Sequence, residues 1–135
     1  LWGVVIMNVT CSNVILPIRP VAKARPRLGR NGNAYTPRKT KAFEEDVARL
    51  YRGAGGQMFN GALAVNVEFI YRTTEKRKLY TEKTTRPDID NLLKALFDGL
   101  NGVAWADDSQ IVYINARKSW GEYDAIKLIV ERVRL

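Results

Sequence analysis

Asp88 and Asp90 lie two residues apart in the run Arg86-Pro87-Asp88-Ile89-Asp90-Asn91-Leu92-Leu93-Lys94, and a second acidic pair, Asp107-Asp108, follows. Two carboxylates facing one point repel, and one takes up a proton unless a cation neutralises them. In a chain rich in basic side chains, such a cluster is best explained by a divalent cation meeting a phosphodiester. Magnesium and manganese favour oxygen ligands and keep several waters. Asp88 and Asp90 supply two carboxylates, and Asp108, or its neighbour Asp107, a third. Lys94, one turn beyond Asp90 on the same face, would bind the scissile phosphate or stabilise charge in the transition state. Asn91 would hydrogen-bond a ligand carboxylate or a phosphate. Asp98, four residues past Lys94, is expected to pair with it rather than with metal.

Each residue also has a plainer reading. Asp88 suits a helix N-cap, and Asp90 an acid favoured by the helix dipole. Lys94 suits an i,i+4 ion pair with Asp90 or Asp98, and Asp107-Asp108-Ser109 a turn. Taken singly, Asp88 and Asp90 are better explained that way; the combination favours the metal site.

Composition narrows the chemistry. The 135 residues hold 22 Lys plus Arg against 14 Asp plus Glu, a formal charge of +8. That surplus fits a polyanionic partner, nucleic acid being the usual one, or serves solubility alone. There is no histidine and one cysteine, Cys11. Zinc fingers, intrachain disulfides, and Ser-His-Asp or Cys-His nucleophiles are therefore excluded. The economical nucleophile is water activated by a metal. The lone thiol fits a reducing cytoplasm.

The elements that must position these groups follow from periodicity. Asn13 to Ile18 reads as a strand ending near Pro17. Arg19 to Tyr35 holds Arg19, Lys23, Arg25, Arg27 and Arg30 with no acid, among Pro and Gly that favour a loop or irregular ribbon. It reads as an arm that grips phosphates, since such a patch repels itself without a partner. Thr36-Pro37 suits a helix start, carried on by Ala42, Phe43, Val47, Leu50 and Tyr51 to Gly53. Glu44, Glu45 and Asp46 read as a solvated face.

Alternation of Leu63, Val65, Val67 and Phe69 predicts a strand with one apolar face, placing Glu68 on the other as an exposed acid or a further ligand. Arg72 to Arg86 has no apolar period and reads as a mobile basic loop, with Leu79-Tyr80 available for stacking. Ile89, Leu92, Leu93, Leu96, Phe97 and Leu100 form one stripe of a helix that stops at Gly102. Ile111 to Ala116 and Tyr123 to Val133 read as strands joined by a hairpin turn around Gly121.

The expected fold is a single α/β (α+β) domain over residues 1–135, with two main helices and a mixed parallel and antiparallel sheet. Residues 1–12 are expected to be a peripheral extension. The apolar Leu1–Met7 is too short to span a membrane and lacks signal-peptide flanks; Met7 suits a natural start.

As an ensemble, three runs resemble the RusA-like Holliday junction resolvases, small endodeoxyribonucleases often encoded by phages or prophages. They are Arg86 to Lys94, Phe97-Asp98-Gly99-Leu100, and Trp105-Ala106-Asp107-Asp108-Ser109-Gln110-Ile111-Val112. The Arg-rich stretch from Pro20 to Tyr35-Thr36-Pro37 resembles the front of many members. The resemblance implies a RusA-like fold and a homodimer on a four-way DNA junction, each subunit nicking one of two opposed strands with Mg2+ or Mn2+. The family's essential acids fall on Asp88, Asp90 and Asp108, and its essential lysine on Lys94. Where the better-known bacterial member has a run of arginines, Arg86 alone stands beside the first acid.

The residues by themselves reach a metal-dependent nuclease, with Arg25, Arg27, Arg30 and Arg86 gripping phosphates. Junction specificity and dimerisation come from the resemblance. Two alternatives stand: a non-catalytic basic DNA-binding or packaging module, and a nuclease of broader branched-DNA specificity. The expected setting is the cytoplasm of a bacterium or of a phage-infected host.

Overall fold

A computed structural model describes residues 10–133 other than Pro26 and Thr36, and of Arg27 the backbone alone. The apolar Leu1–Met7, the capping role of Thr36 and the side chain of Arg27 lie outside the described residues. The elements run β1 (Cys11–Leu16), β2 (Arg27–Leu28), β3 (Ala34–Tyr35), α1 (Arg38–Gly53), β4 (Leu63–Arg72), α2 (Ile89–Leu100), β5 (Ile111–Gly121) and β6 (Ala125–Arg132). Strands β1, β6, β4 and β5 form a four-stranded sheet in that order, and β2 and β3 pair as a small separate ribbon. β1 begins at Cys11, inside the stretch expected to be peripheral, and buries Ser12.

The sheet is mixed, as the element order implied. β4 pairs parallel with β5 and antiparallel with β6. Parallel neighbours need a crossover, and α2 lies within the one from β4 to β5. The alternation along β4 has the expected result: Leu63, Val65, Val67, Phe69 and Tyr71 are buried in the core with Leu92, Leu96 and Leu100 of α2 and Phe43, Val47 and Tyr51 of α1. Ala42, expected on the apolar stripe of α1, is exposed. That helix begins one residue later than expected, with Pro37 at the N-cap and no side-chain bond there.

Two expectations are corrected. β5 and β6 are not a hairpin, because β4 lies between them. The link Glu122–Asp124 passes over the end of β4, a gap of two strand spacings, about 9.5 Å. Asp124 Oδ1 there accepts the Arg72 N–H at 2.8 Å, and Thr73 N–H donates to Gly121 O at 2.9 Å. The strongly apolar β4 takes the central slot, where burial is greatest.

The basic stretch from Arg72 to Arg86 is not a free loop. Tyr80 N–H donates to Trp120 O, Trp120 N–H to Thr81 O, and Lys83 N–H to Lys118 O, at 2.9 to 3.0 Å. The stretch thus borrows the outer edge of β5, which satisfies backbone groups on both sides. Lys83 is buried. Tyr80 sits at φ 64 with its ring exposed, and its hydroxyl donates to Glu122 at 2.8 Å.

Helix α2 is held against α1 by a close approach. A Cβ on Gly99 would lie 3.0 Å from the Glu44 carbonyl oxygen and 3.2 Å from Val47 Cβ. Beyond α2 the chain is pinned by Trp105, fully buried, whose ring meets Phe97 edge-on at 5.6 Å and whose indole N–H donates to Asn101 at 2.7 Å.

Candidate active site

Asp88 is the N-cap residue of α2, at φ −71 and ψ 142, and its side chain makes no capping hydrogen bond. Its carbonyl accepts the first helical bond from Leu92 at 3.2 Å. The carboxylate of an N-cap aspartate ordinarily satisfies a first-turn N–H; here it is left for another partner. Asp90, two residues on, accepts the Asn91 N–H at 2.9 Å through Oδ1. Asp88 and Asn91 line a cavity of about 430 Å³ with Arg86, Pro87 and Ala22.

The peptide entering Asp88 is held by two lysines that sequence reasoning missed. Lys83 Nζ donates to Thr85 Oγ1 at 2.5 Å and to the Arg86 carbonyl at 2.6 Å. Lys118 Nζ, from β5, donates to the carbonyls of Thr85 and Pro87, both at 2.8 Å. Lys83 also lies 4.5 Å from the Trp120 ring centroid and 5.1 Å from that of Tyr71. Burial first, then the charges of Lys118, Arg19 and Lys78, lower its proton affinity. Tyr71 in turn donates from its hydroxyl to Pro20 O at 3.0 Å, and burial pushes its phenol up to about 12.

Lys94 pairs with Asp98 at 3.0 Å, as expected. The hydrogen bond and charge of Asp98 raise the lysine's proton affinity, burial opposes this slightly, Asp108 adds to it and Lys23 subtracts. Lys94 thus holds its proton more firmly than an unpaired lysine. Asp98 reaches further: its other oxygen meets Lys23 at 3.0 Å, and Lys23 also bonds Glu44 at 2.6 Å. Burial opposes charge on Lys23, but Glu44 and Asp98 outweigh it and raise its affinity. The Lys23 N–H further donates to Asn91 O at 2.9 Å, tying the arm to α2. So Lys23 and Arg19, which pairs with Asp124 at 3.1 Å, find acids far along the chain. The arm's charge is partly compensated, contrary to its local count. Arg25 and Arg30 are exposed on the arm and line neither the cavity beside Asp88 nor the cleft adjoining it.

The Asp107-Asp108 pair divides its work. Asp107 accepts the Ser109 N–H at 3.1 Å; hydrogen bonding from the Ser109 side chain first, then from this N–H, holds its carboxyl below the usual range. Gln110 Oε1 accepts from Ala106 and Asp107, while its Nε2 donates to the carbonyls of Phe59 and Gly61 at 3.2 and 3.0 Å. The turn is thereby stapled to the loop before β4, and Asp108 is the acid of the pair left without a side-chain partner among the described residues. Its charge reaches Lys94. Among the described residues, no three acids are gathered tightly enough to close round an ion. Glu68 lies on the face of the sheet opposite Lys118, bonded to Ser119 at 2.8 Å, with Arg117 at 3.8 Å.

The donor set is chemically suited to a hard divalent ion. Asp88 and Asp108 have carboxylates not spent on capping, Asp90 keeps one oxygen free of its Asn91 bond, and Mg2+ commonly uses one or two carboxylates plus water and phosphate oxygens.

Acids at a helix mouth, with Arg86 beside them and the Lys94 cation one turn on, suit a protein that acts on a polyanion. The chain belongs to the RusA endodeoxyribonuclease family: residues 17–131 match the family described as Endodeoxyribonuclease RusA. It is thus an enzyme of the class that hydrolyses phosphodiester bonds within DNA, and nucleases of this family depend on a divalent metal. Relatives include the uncharacterized protein YqaN of Bacillus subtilis (strain 168). It is 32% identical over 130 residues, covering 84% of this chain and 91% of that protein. The crossover junction endodeoxyribonuclease rusA of Lactococcus phage r1t is 37% identical over 75 residues, 55% of this chain and 57% of that one. No helix among the described residues is long and apolar enough to cross a membrane.

Proposed function

We propose that this chain resolves four-way DNA junctions by paired phosphodiester hydrolysis in recombination and repair. It would act as a homodimeric endonuclease domain in the cytoplasm of a bacterium or of a phage-infected host. Asp88, Asp90 and Asp108 would hold Mg2+ or Mn2+, with Asn91 and Asp107 supporting them, and the bound ion would supply an activated water and offset charge on the phosphoryl oxygens. Lys94, kept protonated by Asp98, stabilises negative charge building on the phosphate. Arg86 grips the strand beside the cut, and Arg25, Arg27 and Arg30 hold phosphates further out.

The observation that carries this reading is the Asp88 carboxylate, which makes no capping bond although it stands at a helix N-cap. Two lysines fix the peptide before it. That investment in one exposed acid is expected of a working group. The test is a labelled synthetic four-way junction incubated with Mg2+, Mn2+ or neither. Symmetric, metal-dependent nicks in opposed strands support the proposal, and their absence at saturating protein contradicts it.

One observation favours a second reading, a nuclease of broader branched-DNA specificity. Of the cations nearest before Asp88, Arg86 is exposed while Lys83 is turned inward. Comparable cutting of flaps, junctions and single-strand gaps would favour it.

A further inference from the structure

Beside the acid site lies a second concavity, of about 510 Å³, lined by Arg19, Lys39, Lys83 and Arg86 with the rings of Tyr71 and Trp120. Its lining includes four cations and no carboxylate. Arg19 shares Asp124, which stands outside the lining. Lys39 and Arg86 are exposed and, among the described residues, have no carboxylate within 4.0 Å.

Lys83 is nearly withdrawn from water, and its ammonium is met by a hydroxyl, a carbonyl and two ring faces, all uncharged. Like charges converging on a partly desolvated hollow are unfavourable unless an anion enters. The protein supplies none from the walls.

The hollow adjoins the site. Its lining shares Ala22, Arg86 and Pro87 with the cavity that contains Asp88 and Asn91. An anion seated between Lys39 and Arg86 therefore lies along the path of a strand whose scissile phosphate is at Asp88.

We infer that this cleft binds a backbone phosphate of the cut strand, adjacent to the scissile one, with Lys39 and Arg86 as the contacting cations. Lys83 forms its fixed positive floor. The inference rests on the nuclease reading and adds to it a subsite that sets where along the strand the cut falls. Lys39 stands on the first turn of α1, so the helix packed on α2 through Gly99 also carries the contact. Cut and contact are thereby held at a fixed separation.

The experiment pairs a protein change with a DNA change. In an Asp90→Asn background, which leaves the DNA uncut, binding of a labelled junction is measured across salt concentrations with and without Lys39→Ala. Single neutral methylphosphonate linkages are placed in turn at the phosphates flanking the cut. Lys39→Ala lowers the salt slope by about 0.7–0.9, one phosphate contact. One flanking methylphosphonate weakens the Asp90→Asn parent severalfold and weakens the protein also carrying Lys39→Ala by a smaller factor, since Arg86 still meets that phosphate. Lys127→Ala, on the uncovered sheet face, changes neither. Equal effects of Lys39→Ala and Lys127→Ala, or additive losses at every linkage, overturn the inference. If the unaltered protein cuts no junction or branched DNA with Mg2+ or Mn2+, the nuclease reading fails and the subsite falls with it. If it cuts normally and Lys39 fails to couple, only the subsite falls.

Discussion

Lys118 on β5 donates to the carbonyl oxygen of Pro87 at 2.8 Å, one residue before the free carboxylate of Asp88. The same ammonium holds Thr85 O. A strand of the sheet thereby sets where helix α2 begins, and with it where the first acid stands. Replacing Lys118 with Met removes both bonds while keeping much of the packed stem. The expected result is a fall in kcat of about 10- to 100-fold, the scale for groups that orient a site's ligands, with KM changed far less. Lys118→Arg restores part of the rate. The urea unfolding midpoint and a titration of active protein separate this from general destabilisation, which would lower the folded, active fraction rather than the rate per folded molecule.

Lys83 gives the fold a pH dependence of predictable sign. Burial, then Lys118, Arg19 and Lys78, place its folded ionisation below 10.5. Below that lowered value both states bind the proton, and the full cost of the buried charge is present. As pH rises from the lowered value toward 10.5, the unfolded chain holds more protons, so this residue's contribution grows more favourable with pH. Lys83→Met removes the effect. Urea unfolding of both proteins from neutral pH up to 10.5 should show the parent's stability rising relative to the variant's.

On the proposed mechanism, Asp98 acts on the chemistry through Lys94. Asp98→Asn removes the partner that raises the proton affinity of Lys94 and leaves Lys23 with Glu44 alone. The alkaline limb of the pH–rate profile should move to lower pH, because Lys94 then loses its proton earlier. An unmoved limb would remove Lys94 from the role of required cation.

Gly99 permits the close crossing of α1 and α2. Gly99→Ala puts a methyl 3.0 Å from the Glu44 carbonyl and should cost about 1–3 kcal/mol, the range for overpacking. The midpoint of chemical unfolding reads this directly. Because α1 carries Lys39 and α2 carries the acids, the same change should also lower junction affinity.

Much of this arrangement is legible in the sequence where the signal is local. The stripe Leu92, Leu96, Phe97 and Leu100, the alternation along β4 and the placing of Asp88 at a helix mouth all follow from periods of 3.6 and 2. The i,i+4 pair Lys94–Asp98 follows likewise. What escaped depends on contacts between distant segments. Lys83 reads only as one cation of a basic loop, and Lys118 falls between the two expected strands, because their carbonyl partners are neutral and leave no charge pattern. Lys23 and Arg19 were counted as uncompensated because Glu44, Asp98 and Asp124 lie far along the chain. The hairpin expected between β5 and β6 failed because adjacency in sequence says nothing of a third strand claiming the slot between them. The division of labour between Asp107 and Asp108 was written in Gln110, whose amide staples the turn, but only the positions of Phe59 and Gly61 show it.

The central claim is that the acids at the mouth of α2 serve metal-dependent cutting rather than helix capping. It is tested most directly by Asp90→Asn on a labelled four-way junction, scored for both cleavage and binding in Mg2+ and Mn2+. The account predicts that cutting is abolished while junction binding and the unfolding midpoint stay near those of the parent. Cutting that survives in Asp90→Asn at the parent's rate would contradict it.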